Sequence, residues 1–296
     1  MSAPVLFDRR LAAIRLAVAR HRQPASGPAD FLLARALDDL DDRLAALTRR
    51  FAVGAALGDV TGLIKSRLKE SGRIDRVVAL SPVPGRSVDV VGDDERLPFA
   101  AASLDFTTSL LTLQAVNDLP GAFVQVRRAL RPDGLYLAAL AGGDTLTELR
   151  QVLLEAEVEE TGGAAPRVAP FVDVRTLGSL MQRAGFALIV TDSDRFTVRY
   201  PSFTALIADL RALGWGNPLV ERRPLSRRVV ARAAALYGER FADADGRLRA
   251  TFEIVSASGW APDASQPKPA RPGSATVNLG DALKAIAAES KQPPGD

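Results

Sequence analysis

A chain of 296 residues that is 47% hydrophobic can bury one large α/β core. Its 38 basic and 35 acidic residues leave a charge of only +3, and the arginines are dispersed, not clustered with aromatics as nucleic-acid binding would require. The absence of cysteine removes disulfides, thiolate nucleophiles and thiolate-held metals. With one histidine, His21, there is no triad and no two-histidine metal site, so no metal ligands are expected.

Residues 5–23 read as an arginine-rich helix, either a solvated face packed on the domain or a helix that touches a partner or a membrane surface. Pro24 to Pro28 break it. Phe31, Leu33, Leu37, Leu40, Leu44 and Leu47 then recur at helical spacing up to Arg50, which predicts a helix covering one face of a sheet. Val53 to Leu57 is the first strand, followed by the loop Gly58, Asp59, Val60, Thr61 and Gly62 and a helix to about Glu70. Arg76 to Leu80 is the second strand. Only Pro82 to Ser87 separate it from Val88 to Val91, too few for a parallel crossover, so a helix is missing and that sheet edge is reduced.

Asp93, Asp94 and Glu95 precede Leu97, Pro98 and Phe99, either as a site or as a solvated acidic turn. Leu104 to Leu111 is a strand, and Asp118 with Pro120 opens a helix whose apolar face is Ala122, Phe123, Val126, Ala129 and Leu130. Pro132, Asp133 and Gly134 stop it with a turn before the uninterrupted apolar run Leu135 to Ala141. Strand, helix and strand in this order predict a right-handed parallel unit. Its ligand should lie beyond the strand ends, at Leu111 to Asp118 and Gly142 to Glu148.

Thr145-x-x-Glu148 has the form of a capping box for a helix to about Glu160. Asp144 has less local need and is the best candidate for contacting a substrate. Arg150 could hold a carboxylate or simply pair at the surface. A helix over Val172 to Ala184 leads to two strands, Phe186 to Val190 and Phe196 to Tyr200, with Asp192 to Asp194 as the turn between them. Two helical patterns, Phe203 to Leu213 and Ser226 to Phe241, precede a last strand, Thr251 to Ser258, and a Pro-, Ser- and Ala-rich tail from Pro262. There is no internal repeat and no run of 18 apolar residues. The first twenty residues lack a secretory apolar core, so cytoplasmic residence is the default expectation.

The acidic strand end with LPF, the LDF strand, VNDLPGA (116–122), RALRPDGL (128–135) and GGDTLTELR (142–150) resemble the class I S-adenosylmethionine-dependent methyltransferases. The likeness is greatest to the subgroup holding complex I assembly factor 5, an arginine hydroxylase, and the malonyl-acyl carrier protein O-methyltransferase, and it spans residues 5–280. It implies a Rossmann-like, mostly parallel sheet with a helical cap inserted before the last strand. The divisions would be N-terminal helices over 1–50, a core over 51–200, the cap over 201–245, the last strand over 246–260 and a tail over 261–296.

The resemblance also implies a site. Gly58, Asp59 and Gly62 would face the methionyl part of the cofactor S-adenosylmethionine, Ser81 the ribose, and Asp93, with Asp94 beside it, the adenine amino group. Leu111, Thr112 and Gln114 would form the floor, with Asp144 and Arg150 toward the substrate. Tyr200, Arg211 and Trp215 could face the pocket from the cap, although Trp215 also suits plain packing. The chain departs from the family pattern at Ala56 and Leu80, which replace acids, at Val60, which replaces the middle glycine, and at Gln114-Ala115, which replaces His-Trp. Three functions follow as expectations: a methyltransferase-family protein acting in respiratory complex I assembly, a catalytically degenerate binding or assembly protein, or a carboxyl O-methyltransferase acting on a carrier protein. The partner would be a complex I subunit or a carrier protein, with no transmembrane segment and peripheral membrane contact at most. All of them need a nucleotide-sized hollow at the strand tips, walled by Gly58, Asp93, Leu111 and Asp144 and not plugged by Val60.

Overall fold

The computed structural model describes residues 5–22 and 30–267, so the Pro24 to Pro28 break and the tail beyond 267 lie outside the described residues. The described residues up to Pro262 form one compact unit, and 263–267 belong to a second. In the first, short apolar runs become strands β1 (Phe51–Leu57), β2 (Ile74–Ser81), β3 (Val90–Val91), β4 (Leu104–Leu110), β5 (Leu130–Ala141), β6 (Ala187–Tyr200) and β7 (Leu248–Trp260). The segments of helical period become α1 (Arg9–Arg22), α2 (Phe31–Ala45), α3 (Leu63–Glu70), α4 (Leu119–Ala129), α5 (Thr147–Thr161), α6 (Val174–Arg183), α7 (Phe203–Ala212) and α8 (Arg227–Phe241). The seven strands form one sheet in the order β3-β2-β1-β4-β5-β7-β6. The first five are parallel, and β7 runs antiparallel to both of its neighbours.

Each sheet face is covered. On one, Leu33, Leu37 and Leu40 of α2, Ile64 of α3, Val152 of α5 and Leu236 of α8 join a core with Phe106 and Phe252. On the other, Phe123 and Val126 of α4 meet Leu177 and Met181 of α6 over Tyr136 and Leu140. A tyrosine can sit in that apolar layer because its hydroxyl reaches Ser109 Oγ at 2.6 Å, while its ring stacks on Phe186. Helix α4 begins as its sequence predicts, with the Asp118 carboxylate accepting from the Gly121 N–H at 2.8 Å and Pro120 in the first turn. Between β2 and β3 there is no helix, and β3 is two residues long, so the reduced edge expected from the short connection is present.

Three local expectations are corrected. Phe186 to Tyr200 is not two strands around an Asp192–Asp194 turn. It is one strand, β6, that pairs with β7 continuously from Val190 to Tyr200, as Asp192 pairs with Ser256 and Asp194 with Ile254. Charged residues are at home there because β6 is an edge strand, and Arg35 binds Asp194 from outside. The turn at Pro132 to Gly134 is also within a strand: β5 starts at Leu130, and Asp133 at φ 58° marks an irregularity before pairing resumes at Leu135.

The third correction concerns Thr145 and Glu148, which do not cap α5. The Thr145 hydroxyl donates to the Glu253 carbonyl and accepts from the Glu253 N–H, both at 3.0 Å. The Glu148 carboxylate accepts from the Thr251 N–H at 3.0 Å and from the Thr251 hydroxyl at 2.5 Å. Both residues fasten the start of α5 to β7. Glu148→Ala would leave the buried Thr251 donors without a partner, and urea denaturation should show a loss of about 2 kcal/mol.

Candidate functional site

Because β1 and β4 are neighbours while their connections leave in opposite directions, a crevice opens beyond their carboxyl ends. A cavity of about 680 Å³ lies there. Its floor is Gly58 after β1, Pro82 and Val83 after β2, Asp93 and Asp94 after β3, and Leu111, Thr112 and Gln114 after β4. Helix α1 forms the roof with Arg9, Ala13 and Leu16, and Phe171, Trp215 and Pro218 close the far side.

The strand-tip loops are shaped by close approaches. Gly58 has φ 69°, and a Cβ there would sit on the side chain of Thr112, so the β1 and β4 tips can touch only through glycine. Gly62, at φ 79°, is covered by Ser87 of the connection that replaces the missing helix. Asp59 points inward and is buried, accepting from the Gly62 and Lys65 N–H groups at 2.8 Å each. The chain's own carboxylate thus occupies the first turn of α3, where free amides and the helix dipole attract an anion. Val60 is buried and does not line the hollow, which stays open.

Arg9 of α1 reaches into the acidic corner. Its Nη2 donates to Asp93 Oδ1 at 2.7 Å and lies 3.5 Å from Asp94 Oδ2. Burial would raise Asp93, but the Glu95 N–H and the Arg9 guanidinium hold it below the usual carboxylate range. Burial pushes Asp94 up to about 6, with Arg9 opposing only in part. Four buried side-chain atoms around this cavity have no hydrogen-bond partner: Arg9 Nε, Asp94 Oδ1, Thr112 Oγ1 and Gln114 Oε1. The Gln114 amide is oriented by its own Nε2, which donates to the Leu111 carbonyl at 2.8 Å. Buried polar atoms are almost always satisfied, so their grouping on one cavity marks a place for a polar ligand.

The roof is held by Asn117 of VNDLPGA. Its Oδ1 accepts from the Leu6 and Phe7 N–H groups at 2.8 and 2.7 Å, and its Nδ2 donates to the Phe7 carbonyl at 3.1 Å. On the other side, the Asp8 N–H donates to the Pro218 carbonyl at 2.8 Å. Gly214, at φ 78°, lets α1 lie against the turn after α7, since a Cβ there would stand 3.0 Å from Leu16 Cα.

Of the residues expected at the site, Gly58, Asp93, Asp94, Leu111, Thr112, Gln114 and Trp215 line the cavity, while Asp59, Gly62, Ser81, Asp144, Arg150, Tyr200 and Arg211 do not. The Ser81 hydroxyl donates to the Val83 carbonyl at 2.7 Å and is spent locally. Asp144 is at the surface, 3.3 Å from Arg195. Arg150 folds back onto the Gly143 and Thr145 carbonyls at 3.4 and 3.3 Å, and Tyr200 donates to Asp209 at 2.7 Å. Arg211 is exposed. The sequence reading missed Arg9 and Arg10 as cavity residues, having them only as part of the arginine-rich helix over 5–23.

The human protein named arginine-hydroxylase NDUFAF5, mitochondrial, is 37% identical over 284 residues, which cover 93% of this chain and 81% of that relative. The chain belongs to the class I methyltransferase family. Within it, the family described as a methyltransferase domain matches residues 57–138, from β1 into β5. A malonyl-acyl-carrier-protein O-methyltransferase of Xylella fastidiosa is 41% identical over 175 residues, covering 58% of this chain and 57% of that one. In fold, the chain is similar to the solved YcgJ protein of Bacillus, with a TM-score of 0.53 at 12% identity over 78% of this chain and 99% of that one.

The cofactor of this methyltransferase family is S-adenosylmethionine, and the residues here fit it unevenly. The adenosyl part fits, since the hollow is within the ~300–1,000 Å³ of small-molecule sites and carries unpartnered donors and acceptors. For the aminoacyl part, the turn of α3 is already capped by Asp59, and Leu80 and Ser81, the positions expected at the ribose, are both buried, with the Ser81 hydroxyl spent on Val83. Cutting the roof's anchor should show how the cavity is closed. Asn117→Ala should speed amide hydrogen exchange across residues 6–19 at least tenfold in the free protein while β4 and β5 exchange unchanged.

Proposed function

We propose that this methyltransferase-family protein holds the adenosyl part of S-adenosylmethionine in the cavity under α1 and serves, as the resemblance to the assembly-factor branch suggests, in the building of respiratory complex I. The observation that carries the reading is the set of four unpartnered polar atoms. Asp94 Oδ1 and Gln114 Oε1 accept, Arg9 Nε donates, and the Thr112 hydroxyl does either. An aminopurine edge offers both amino N–H donors and ring-nitrogen acceptors. A guanidinium offers donors only and would be repelled by Arg9. With Asp93 held by Arg9, Asp94 is the acid assigned to the amino group, a shift of one position from the family pattern.

Bound there, the cofactor supplies an electrophilic methyl group. What the chain itself supplies is alignment and the exclusion of water: Thr112 and Gln114 on the floor, and the α1 roof pinned by Asn117. The hydroxylation named for the relatives calls for an oxidant site that a two-histidine motif cannot provide in a chain with one histidine. The proposed role is therefore recognition of a complex I subunit, with methyl transfer as the accompanying chemistry and a cytoplasmic location. A second reading, carboxyl O-methylation of a carrier-bound acyl group, is favoured by one observation. Arg10 lines the cavity with no carboxylate partner among the described residues, and it suits a substrate carboxylate.

Titration calorimetry with S-adenosylhomocysteine tests the cofactor reading. Binding N–H donors to Asp94 favours its ionised form, whereas burial in the free protein disfavours it. Affinity should therefore rise about tenfold from pH 5 to pH 7, with proton release near pH 6, and then level off. Other groups facing Asp94 are Arg9, Asp93, Glu95 and Tyr136, and none of them should set that profile. Asp94→Asn should flatten it and Asp93→Asn should not. A folded protein that gives no heat with this probe at any of these pH values would end the cofactor reading. For the assembly role, deletion of the gene should lower complex I activity severalfold, and unchanged activity counts against it.

A further inference from the structure

The segment between the cavity rim and α8 has a composition that packing does not account for. Residues 220–230 hold four arginines and one glutamate. Arg222 pairs with Asp8 at 3.2 Å and the exposed Arg223 lies within the field of Glu157 without forming an ion pair with it, while the exposed Arg227 and Arg228 pair with no carboxylate among the described residues. Arg227 and Arg228 stand in the first turn of α8, which holds no acidic residue, although the helix dipole there disfavours cations. The helix gains nothing from them, so their charge is directed outward.

Aliphatic side chains are interleaved with this charge and face solvent. Val220 is 48% exposed, Leu225 39% and Val230 39%. They continue onto the amino-terminal segment, because the Val220 N–H donates to the Leu6 carbonyl at 2.9 Å, and Val5 and Leu6 are themselves 65% and 43% exposed. Single aliphatics spaced among arginines make no continuous apolar groove for a protein helix. They suit a headgroup layer, where guanidinium groups meet phosphates and aliphatic tips reach the acyl boundary. The same stretch adjoins Asn217 and Pro218 of the cavity rim.

We infer that the surface made by residues 5–6 and 220–230 docks the protein on an anionic lipid bilayer, with the cavity mouth beside the membrane. The charge complementarity names the lipid, since a neutral bilayer would offer the exposed guanidinium groups of Arg223, Arg227 and Arg228 no phosphate of net negative charge. This inference does not depend on the cofactor reading.

Co-sedimentation of the full chain with vesicles of phosphatidylcholine, with and without phosphatidylglycerol, is the test. Binding is expected only to the anionic vesicles and should weaken as salt rises. The triple change Arg223→Ser, Arg227→Ser, Arg228→Ser should lower the partition coefficient about a hundredfold, near fivefold for each charge. Leu225→Ser alone should lower it severalfold with the salt dependence intact. These side chains are exposed, so circular dichroism and thermal unfolding should match the parent, and a variant that has unfolded is replaced by Arg223→Ser alone. Failure to sediment with anionic vesicles, equal binding to neutral ones, or a triple variant that binds as the parent does would each overturn the inference. Binding to an acidic protein without binding to vesicles would do the same.

Discussion

A parallel sheet that grows outward in both directions from its first strand must leave a gap where the two directions part, since each connection climbs away over its own face. Here that gap lies between β1 and β4. The positive φ of Gly58, the turn of the acidic loop at Asp93 and the exit of the chain at Leu111 all follow from bringing strand tips together around this space. The other elements either cover the sheet faces or finish the walls of the gap.

The walls are completed from far along the chain. Helix α1 arrives from the amino-terminal side and is tied through the residues just before it, Leu6 to Asp8, both to Asn117 and to Pro218, so three distant segments meet over the crevice. The cost of placing Arg9 beside two carboxylates is offset by the charge it brings to Asp93. Its Nε and the neighbouring Asp94 oxygen nevertheless stay unsatisfied. A corner in that state is incomplete by the ordinary standards of a protein interior, and this distinguishes a binding surface from a packed one.

Much of the fold was legible in the sequence because its determinants are local. Asp118 with Pro120 sets the start of α4, the unbroken apolar run 135–141 marks a doubly covered strand, and the eight residues 82–89 between β2 and β3 leave no room for a crossover helix. The failures share a different cause. Thr145 and Glu148 have the spacing of a cap, yet their partners are Thr251 and Glu253, more than a hundred residues away. Asp192 to Asp194 have the composition of a turn, yet β7 pairs with them in full register. At the site, strand-tip residues such as Asp93, Leu111 and Thr112 could be placed from topology. The rotation that carries Asp144 to the surface and folds Arg150 back onto Gly143 and Thr145 could not. Arg9 was illegible for the same reason, because a helix without strong amphipathic contrast does not announce what lies beneath it.

The inward-turned Asp59 has a further consequence. In a fold where a bound small molecule finishes the opening turn of the first helix, the empty protein is left with frayed amides and gains rigidity on loading. Here the turn is finished from within, so the glycine loop has its working shape before anything arrives. Order in this part of the molecule is uncoupled from occupancy. The scaffold can present its outer surfaces to other macromolecules equally well in either state, with the side chains of Ala56 and Leu80 at the strand ends held by apolar packing alone.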